Sequence, residues 1–138
     1  MSAILPIIND TNRPFWDGCR AGVLRLQRCQ RCGQLRYPVS PICPECMGTG
    51  AAWEDMSGRG EIFSFTIFRH VYNDAWRDRV PYAVALVRLE EGPIVISNIV
   101  GVDPDAVRVG LPVTVVFDAV SDEVAIPMFE PTEARRDV

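Results

Sequence analysis

The chain has 138 residues, of which 48% are hydrophobic and 23% charged, and its net charge is −4. This is the composition of one folded domain with at most a small module attached, and it excludes a disordered chain. No apolar run approaches the roughly 18 residues that a membrane span needs, and Asp10 comes too early for a secretory signal. We therefore expect a cytoplasmic protein with no membrane partner, in which five cysteines indicate a metal site or free thiols rather than disulfides.

The charges are distributed unevenly along the chain. Every basic residue apart from the single histidine is an arginine, so the chain lacks the lysine of a Schiff-base or P-loop site. Residues 1–50 carry a net charge of +3, whereas residues 51–138 carry a net charge of −7. Because nucleic acids present phosphates, the acidic second half is a poor surface for them.

Residues 9–22 are predicted to form a helix, with Thr11 or Asn12 as the N-cap. Pro14 suits the first helical turn, and Gly22 suits the end of the helix. Three apolar residues at helical spacing give the helix one face for a core or for a partner: Phe15, Trp16 and Cys19.

The rest of the chain has the pattern of a β protein. Short polar strands are predicted at 23–28 and 34–38, and Gly58 and Gly60 mark a boundary after them. Alternating or continuous apolar runs then predict five strands without a long helix between them: 61–71, 82–90, 94–100, 113–120 and 124–129. Five short strands in so few residues favour a small closed or half-closed barrel. Three alternating residues of the first of these strands are predicted to face its core: Phe63, Phe65 and Ile67.

Four of the five cysteines form two CxxC pairs ten residues apart: Cys29, Cys32, Cys43 and Cys46. A CxxC pair lets the backbone fold into a tight knuckle, and two facing knuckles make the tetrahedral four-sulfur site that Zn²⁺ prefers. Such a closed site has no open position for a substrate, so its role is structural. The alternative is two buried thiol pairs without a metal.

The fifth cysteine and the single histidine do not make a catalytic pair. Cys19 lies 51 residues before His70, and it is interpreted as a small apolar helix residue. His70 lies near the end of a predicted strand and is interpreted as a surface or partner-facing residue. We therefore expect no catalytic residue on this chain.

Two sets of residues are candidates for contacts with a partner or a ligand. The segment 69–80 carries Tyr72, Trp76 and Arg77, which are residue types enriched at interfaces, but it is equally compatible with a solvated connection. Six arginines of the first fifty residues are either solvated or suited to the phosphates of a ligand such as coenzyme A: Arg13, Arg20, Arg25, Arg28, Arg31 and Arg36.

The motifs follow one another in a specific order: Pro14-Phe15-Trp16, Leu26-Gln27-Arg28-Cys29-Gln30-Arg31-Cys32-Gly33, Arg36-Tyr37-Pro38, Cys43-Pro44-Glu45-Cys46, Trp53, Gly58-Arg59-Gly60, Pro81-Tyr82-Ala83-Val84-Ala85 and Gly110. Over about residues 9–130, this order resembles the family of small zinc-ribbon plus OB-fold proteins associated with acyl-CoA metabolism. The resemblance implies a mainly β fold with four segments: an N-terminal helical segment (1–22), a rubredoxin-like Cys₄ zinc ribbon (23–57), a five-stranded OB-fold barrel (58–130) and a polar tail (131–138).

The resemblance also implies a function. Members of this family are typically small, non-catalytic subunits of a complex, a heterotetramer or larger, with a thiolase-like protein that carries the catalytic residues and most of the coenzyme A site. Such complexes carry out thiolase, acyl-transfer or retro-aldol reactions on acyl-CoA thioesters with steroid or aromatic side chains. The zinc ligands transfer directly to the four CxxC cysteines. Eight residues are further expected to contact the partner or coenzyme A: Phe15, Trp16, Arg25, Tyr37, His70, Tyr72, Trp76 and Arg77.

Two other functions remain open from the residues alone. The chain could be a free-standing acyl-CoA-binding protein. It could also be a nucleic-acid-binding ribbon and OB module, because Phe63 and Phe65 could stack on bases. The acidic barrel and the absence of lysine argue against nucleic acid, and we expect no nucleic-acid partner.

Overall fold

The computed structural model describes residues 7–69, 81–122 and 124–132. A short helix comes first, followed by a small sheet: α1 (Arg13–Arg20), β1 (Arg25–Cys29), β2 (Leu35–Arg36) and β3 (Ala51–Asp55). Five further strands form a closed barrel: β4 (Arg59–Phe68), β5 (Tyr82–Leu89), β6 (Ile94–Ile99), β7 (Pro112–Ala119) and β8 (Ala125–Pro131). The predicted fold class, a helix followed by a ribbon and a five-stranded barrel, is confirmed. Among the described residues, no helix is long and apolar enough to cross a membrane.

Helix α1 is shorter than the predicted 9–22. Before it, the backbone N–H of Asn9 donates to the Asn12 side chain at 2.8 Å, and the N–H of Asn12 donates to the Asn9 side chain at 3.0 Å. These bonds hold residues 9–12 as a turn. After the helix, Gly22 adopts a φ of +83°, and Val23 N–H donates back to the Gly18 carbonyl at 2.8 Å. This is the glycine-terminated end that the sequence predicts.

The small sheet has the antiparallel order β2–β1–β3. Strand β3 was not predicted, because its sequence lacks a run of β-branched residues. Its pairing with β1 carries two ion pairs, Arg25 with Asp55 at 3.0 Å and Arg28 with Glu54 at 2.7 Å. Tertiary pairing therefore creates a strand that local preference does not specify.

The barrel closes through two pairings that link non-consecutive strands. Strand β4 pairs with β7, and β6 pairs in parallel with β8, where Ile99 lies opposite Phe129. The largest fully buried side chains of the barrel come from four of its strands and fill its centre: Phe129, Ile62, Leu89, Val87 and Val113. The five strands lie close to their predicted positions.

One prediction for the barrel core is wrong. The pairing of β4 with β5 shifts by one residue between Ile62 and Ser64, so that Ile62 points inward and Phe63 points outward. Phe63 is 45% exposed, and the Arg88 guanidinium lies 4.5 Å above its ring. Phe65 and Ile67, beyond the bulge, are partly buried and pack against the core as predicted.

Gly60 provides a test of how tightly the barrel is closed. A Cβ at this position would meet the backbone carbonyl of Arg88 on β5, which cannot move without breaking the strand pairing. We expect Gly60→Ala to lower the free energy of unfolding by about 2 kcal/mol, measured by urea denaturation. The control is Gly50→Ala, whose Cβ would meet only the end of the flexible Gln30 side chain. Equal stability of the two variants would contradict the close approach of β4 and β5.

Candidate metal centre and adjoining groove

The structure brings the four CxxC cysteines together at one end of the small sheet. Their sulfur atoms all lie within 4.8 Å of one another. The Sγ atoms of Cys29 and Cys46 are 3.5 Å apart, and those of Cys32 and Cys43 are 3.6 Å apart. Tetrahedral zinc with Zn–S bonds of about 2.3 Å separates its sulfurs by about 3.8 Å. The four thiols are therefore positioned for a metal ion of this kind.

The two CxxC segments have the same backbone structure. In the first, Cys29 N–H donates to the Gln34 carbonyl at 2.9 Å, and Gly33 N–H donates to the Cys29 carbonyl at 2.9 Å. In the second, Cys43 N–H donates to the Gly48 carbonyl at 2.9 Å, and Met47 N–H donates to the Cys43 carbonyl at 2.8 Å. The two knuckles therefore present their sulfurs in equivalent ways.

A glycine in the first knuckle corresponds to a methionine in the second. Gly33 has a φ of +80°, and Met47, at the same place in the second knuckle, has a φ of +64°. The left-handed conformation is free of strain for glycine and costs a methionine about 1–2 kcal/mol. The second knuckle is therefore held in a conformation that its own residue disfavours.

Backbone N–H groups point at the sulfurs of Cys29 and Cys43 and favour the ionised form of these two thiols. The N–H groups of Cys32 and Arg31 lie 3.5 Å and 3.4 Å from Cys29 Sγ, and they lower the pKa of this thiol to about 6. The N–H of Cys46 is the main cause of a lowered pKa at Cys43. Because a metal binds the thiolate, these donors prepare the site for it.

Cys19 lies apart from this cluster, as predicted. It is 1% exposed on the buried side of α1, and burial raises the pKa of its thiol to about 12. A thiol with this pKa is protonated at neutral pH and is a poor nucleophile.

A groove of about 350 Å³ opens where α1, the turn after β2 and the barrel strands β6 and β8 meet. Trp16 of α1 and Tyr37 of the turn form one side of it, and Ile96 and Asn98 of β6 form the other. Ile96 is 58% exposed. Burial raises the pKa of the Tyr37 phenol, which therefore stays protonated. The groove is an apolar surface with an amide at its edge.

The predicted contact residues have different surroundings. Phe15 is 4% exposed and packs edge-on against Trp16, with ring centres 4.9 Å apart, so the helix packs it into the core of this chain. Its expected contact with a partner stays a prediction. Trp16 and Tyr37 are partly buried and line the groove. Arg25 pairs with Asp55 across the small sheet.

Four predicted contact residues, His70, Tyr72, Trp76 and Arg77, lie outside the described residues. Most of the residues that line the groove were not predicted to be functional, and Ile96 and Asn98 of β6 are among them. The apolar run of β6 gave no sign that two of its isoleucines, Ile94 and Ile96, are exposed. Only the position of α1 against the barrel assigns Ile96 and Asn98 to this surface.

Two family models match the chain in sequence. The rubredoxin-like zinc ribbon domain of ChsH2 matches residues 16–52, and the C-terminal OB-fold domain of ChsH2 matches residues 53–118. All four cysteines of the cluster lie within the first match.

Relatives of this chain come from bacteria and archaea. A probable enoyl-CoA hydratase alpha subunit of Thermomonospora curvata is 33% identical over 126 residues, which are 91% of this chain and 39% of that protein. A DUF35 domain-containing scaffold protein of Methanothermobacter thermautotrophicus is 41% identical over 97 residues, 70% of this chain and 72% of that protein. The chain thus spans well under half the length of the first relative and most of the second.

A solved structure has the same fold over almost its whole length. A chain of the Ltp2-ChsH2(DUF35) aldolase superimposes with a TM-score of 0.81 at 33% identity, covering 92% of this chain and 98% of that chain. The helix, ribbon and barrel of this chain are therefore shared with one chain of that aldolase.

Removal of one ligand should abolish metal binding. We expect Cys43→Ser to lose stoichiometric zinc and to unfold the ribbon, because three thiolates leave the site open and the second knuckle is then held by Cys46 alone. The measurements are elemental analysis of zinc per chain and thermal unfolding. Cys19→Ala is the control and should keep its zinc. Stoichiometric zinc and native stability in Cys43→Ser would contradict the four-thiolate site.

The asymmetry of the two knuckles gives a further prediction. Met47→Gly should raise the free energy of unfolding by up to about 1 kcal/mol, because glycine removes the left-handed strain and the gain exceeds its added flexibility when unfolded. Gly33→Ala, at the equivalent position, should have the opposite sign. Denaturation of both zinc-loaded variants measures the two changes, and a destabilised Met47→Gly would show that the Met47 side chain contributes more than its strain costs.

Proposed function

The chain belongs to the ChsH2 (DUF35) family of zinc-ribbon and OB-fold proteins, and from this membership we propose that it is a non-catalytic accessory subunit of a thiolase-like acyl-CoA enzyme. The observation that carries the proposal is the match of the helix, ribbon and barrel to a chain of an aldolase whose name joins this family to a second component. The names of a hydratase subunit and of a scaffold protein among the relatives support the same role.

The metal in this proposal is a structural Zn²⁺ held by the four cysteines of the cluster. All four ligand positions are then taken by protein thiolates, so that the ion has no open position for a substrate. Strand β2 has only two residues, and a sheet of this size gains its stability from such a cross-link. Zinc therefore holds the surface on which α1 and Tyr37 are placed.

The chemistry of the complex belongs to the partner. The described residues of this chain contain a buried Cys19 with a pKa of about 12, and its other cysteines belong to the metal cluster. In this proposal, the coenzyme A thioester binds to the complex, and the small subunit shapes the entrance to the thioester-binding site. The partner condenses, transfers or cleaves the acyl group, and the complex is cytoplasmic.

Contact with the partner is proposed for the groove between helix, ribbon and barrel. Trp16 and Tyr37 come from the predicted contact set and lie together there, opposite Ile96. An aromatic side chain beside an apolar groove is typical of interface hot spots. The groove also joins all three units of the chain, so that a bound partner would stabilise their arrangement.

The surface of the barrel argues against the nucleic-acid alternative. Phe63 is the exposed aromatic of β4, and the Arg88 guanidinium covers its ring at 4.5 Å. The guanidinium occupies one face of this ring, so that this face is not free for stacking on a base. The net negative charge of residues 51–138 also disfavours binding to nucleic acid.

The experiment begins with the partner. The tagged full-length chain is purified from its native cells, and the co-purifying large subunit is identified by mass spectrometry and titrated with wild-type and variant chains. We expect Trp16→Ala to weaken binding by on the order of 2 kcal/mol, about 30-fold, with zinc content unchanged. Phe63→Ala is the matched control, because it removes an exposed aromatic from another face.

Three outcomes would contradict the proposal in different ways. Acyl-CoA binding by the isolated chain with no large subunit would favour the free-standing acyl-CoA-binding protein. Salt-sensitive retention of nucleic acid in filter binding at two salt concentrations would favour the nucleic-acid module. Loss of affinity in Phe63→Ala but not in Trp16→Ala would move the interface from the groove to the barrel.

A further inference from the structure

Arg36 is the one charged residue that the described part of the chain buries. It is 4% exposed, on strand β2, and Gln27 directly opposite on β1 is 5% exposed. The other arginines of residues 7–69 and 81–122 are exposed or partly exposed at the surface. A buried guanidinium keeps its charge, because arginine does not lose its proton in proteins.

The hydrogen bonds of this guanidinium are incomplete. Its Nε donates to the Gln27 side-chain oxygen at 3.3 Å and to the Ser40 carbonyl at 3.0 Å. Nη1 and Nη2 are covered from solvent and have no acceptor within the described residues. Four described arginines form ion pairs with carboxylates, and Arg36 is not one of them.

A buried charge without a counterion is strongly unfavourable, since neither water nor an acceptor compensates the lost hydration. The Gln27 amide is neutral, and its oxygen accepts from Arg36 Nε and from the Ser40 N–H, so it leaves the charge uncompensated. Replacement by an uncharged residue would relieve this cost. An arginine at such a position is explained when an anion reaches it in the working form of the protein.

A cavity of about 460 Å³ lies beside this side chain. Arg36, Gln27 and Trp53 line it from one face of the small sheet, and Thr11 and Asp10 line it from the segment before α1. Because Nη1 and Nη2 are covered in this conformation, entry of an anion requires a movement of the side chains that line the cavity.

The chemistry of the site selects a carboxylate. With Nε occupied, the two terminal nitrogens remain as a fork, and a planar carboxylate accepts from such a fork through two parallel hydrogen bonds. One guanidinium matches one negative charge. Asp10 lines the same cavity, so a doubly charged phosphate would meet more repulsion than a carboxylate.

We propose that Arg36 forms a carboxylate-binding site on the zinc ribbon. The carboxylate comes either from a small molecule in solution or from an acidic side chain of the partner subunit. The second source rests on the proposed function, whereas the first does not. Occupation of the site gives the buried charge its counterion and thereby couples carboxylate binding to the stability of the ribbon.

The first arm of the test uses the isolated, zinc-loaded, full-length chain. Thermal unfolding is measured against sodium formate, with sodium chloride and sodium phosphate at equal ionic strength as references. We expect formate to raise the Tm of the wild type saturably and to leave Arg36→Gln unaffected. Without formate, Arg36→Gln should be at least as stable as the wild type, because it removes an uncompensated charge. Arg108→Gln, which changes an exposed arginine between the barrel strands β6 and β7, is the control and should respond like the wild type.

The second arm measures affinity for the large subunit. If the partner supplies the carboxylate, Arg36→Gln should bind at least about 30-fold more weakly, since the partner's acid is then buried without its pair. Arg36→Lys keeps the charge without the fork and should bind with intermediate affinity. Arg108→Gln should bind like the wild type. If Arg36→Gln does not fold, both the formate titration and the affinity measurement are made with Arg36→Lys.

The two measurements distinguish a small carboxylate in solution from an acidic side chain of the partner subunit. A formate response with unchanged partner affinity supports a small carboxylate, and weaker partner binding supports a partner side chain, with or without a formate response. If formate does not raise the Tm of the wild type and Arg36→Gln binds the large subunit as tightly as the wild type, the proposal is overturned and Arg36 is a structural residue. Failure of the wild type to bind any large subunit would overturn the proposed function, and the formate arm alone would then decide on the site.

Discussion

Four sulfur atoms lie within 4.8 Å of one another at the end of a sheet whose second strand has only two residues, and the rest of the structure depends on this proximity. Backbone N–H groups lower the pKa values of Cys29 and Cys43, but several thiolates so close together repel one another unless a cation lies between them. A metal ion turns this repulsion into a cross-link between the two knuckles. The ribbon can then hold its short strands in register and fix the turn that carries Tyr37.

Helix α1 packs against both the ribbon and the barrel and so fixes the position of one relative to the other. A Cβ on Gly18 would lie 2.8 Å from the Val23 carbonyl and 3.0 Å from Arg25 Cδ, so the helix approaches the chain that leads into β1 more closely than any larger residue allows. On the same helix, Phe15 lies in the core, and its ring centre is 6.1 Å from that of Tyr37. The groove beside Trp16 follows from this packing, since it is the space that the helix leaves open between ribbon and barrel.

The arginines of the small sheet differ in whether they have a carboxylate partner. The exposed arginines of the small sheet are paired: Arg25 with Asp55 and Arg28 with Glu54. Such exposed pairs contribute little to stability and serve mainly to align the strands. Arg36 lies on the neighbouring strand β2, where it is buried and has no carboxylate partner, unlike the two arginines of β1. Within one small sheet, the paired arginines Arg25 and Arg28 thus have a structural role, whereas Arg36 is the arginine that we propose binds a carboxylate.

The sequence by itself determined the metal cluster, the five barrel strands and the glycine-terminated end of α1, because each follows from spacing, alternation or backbone freedom within a few residues. Tertiary structure alone decided the existence of β3, the outward position of Phe63, the burial of Phe15 and the isolation of Arg36. A strand without β-branched residues forms only when β1 is there to pair with it. A one-residue bulge turns Phe63 to the outer face of the strand, although the alternation of apolar residues in the sequence is unchanged. A charged side chain such as that of Arg36 is buried only by segments that come together in the tertiary structure.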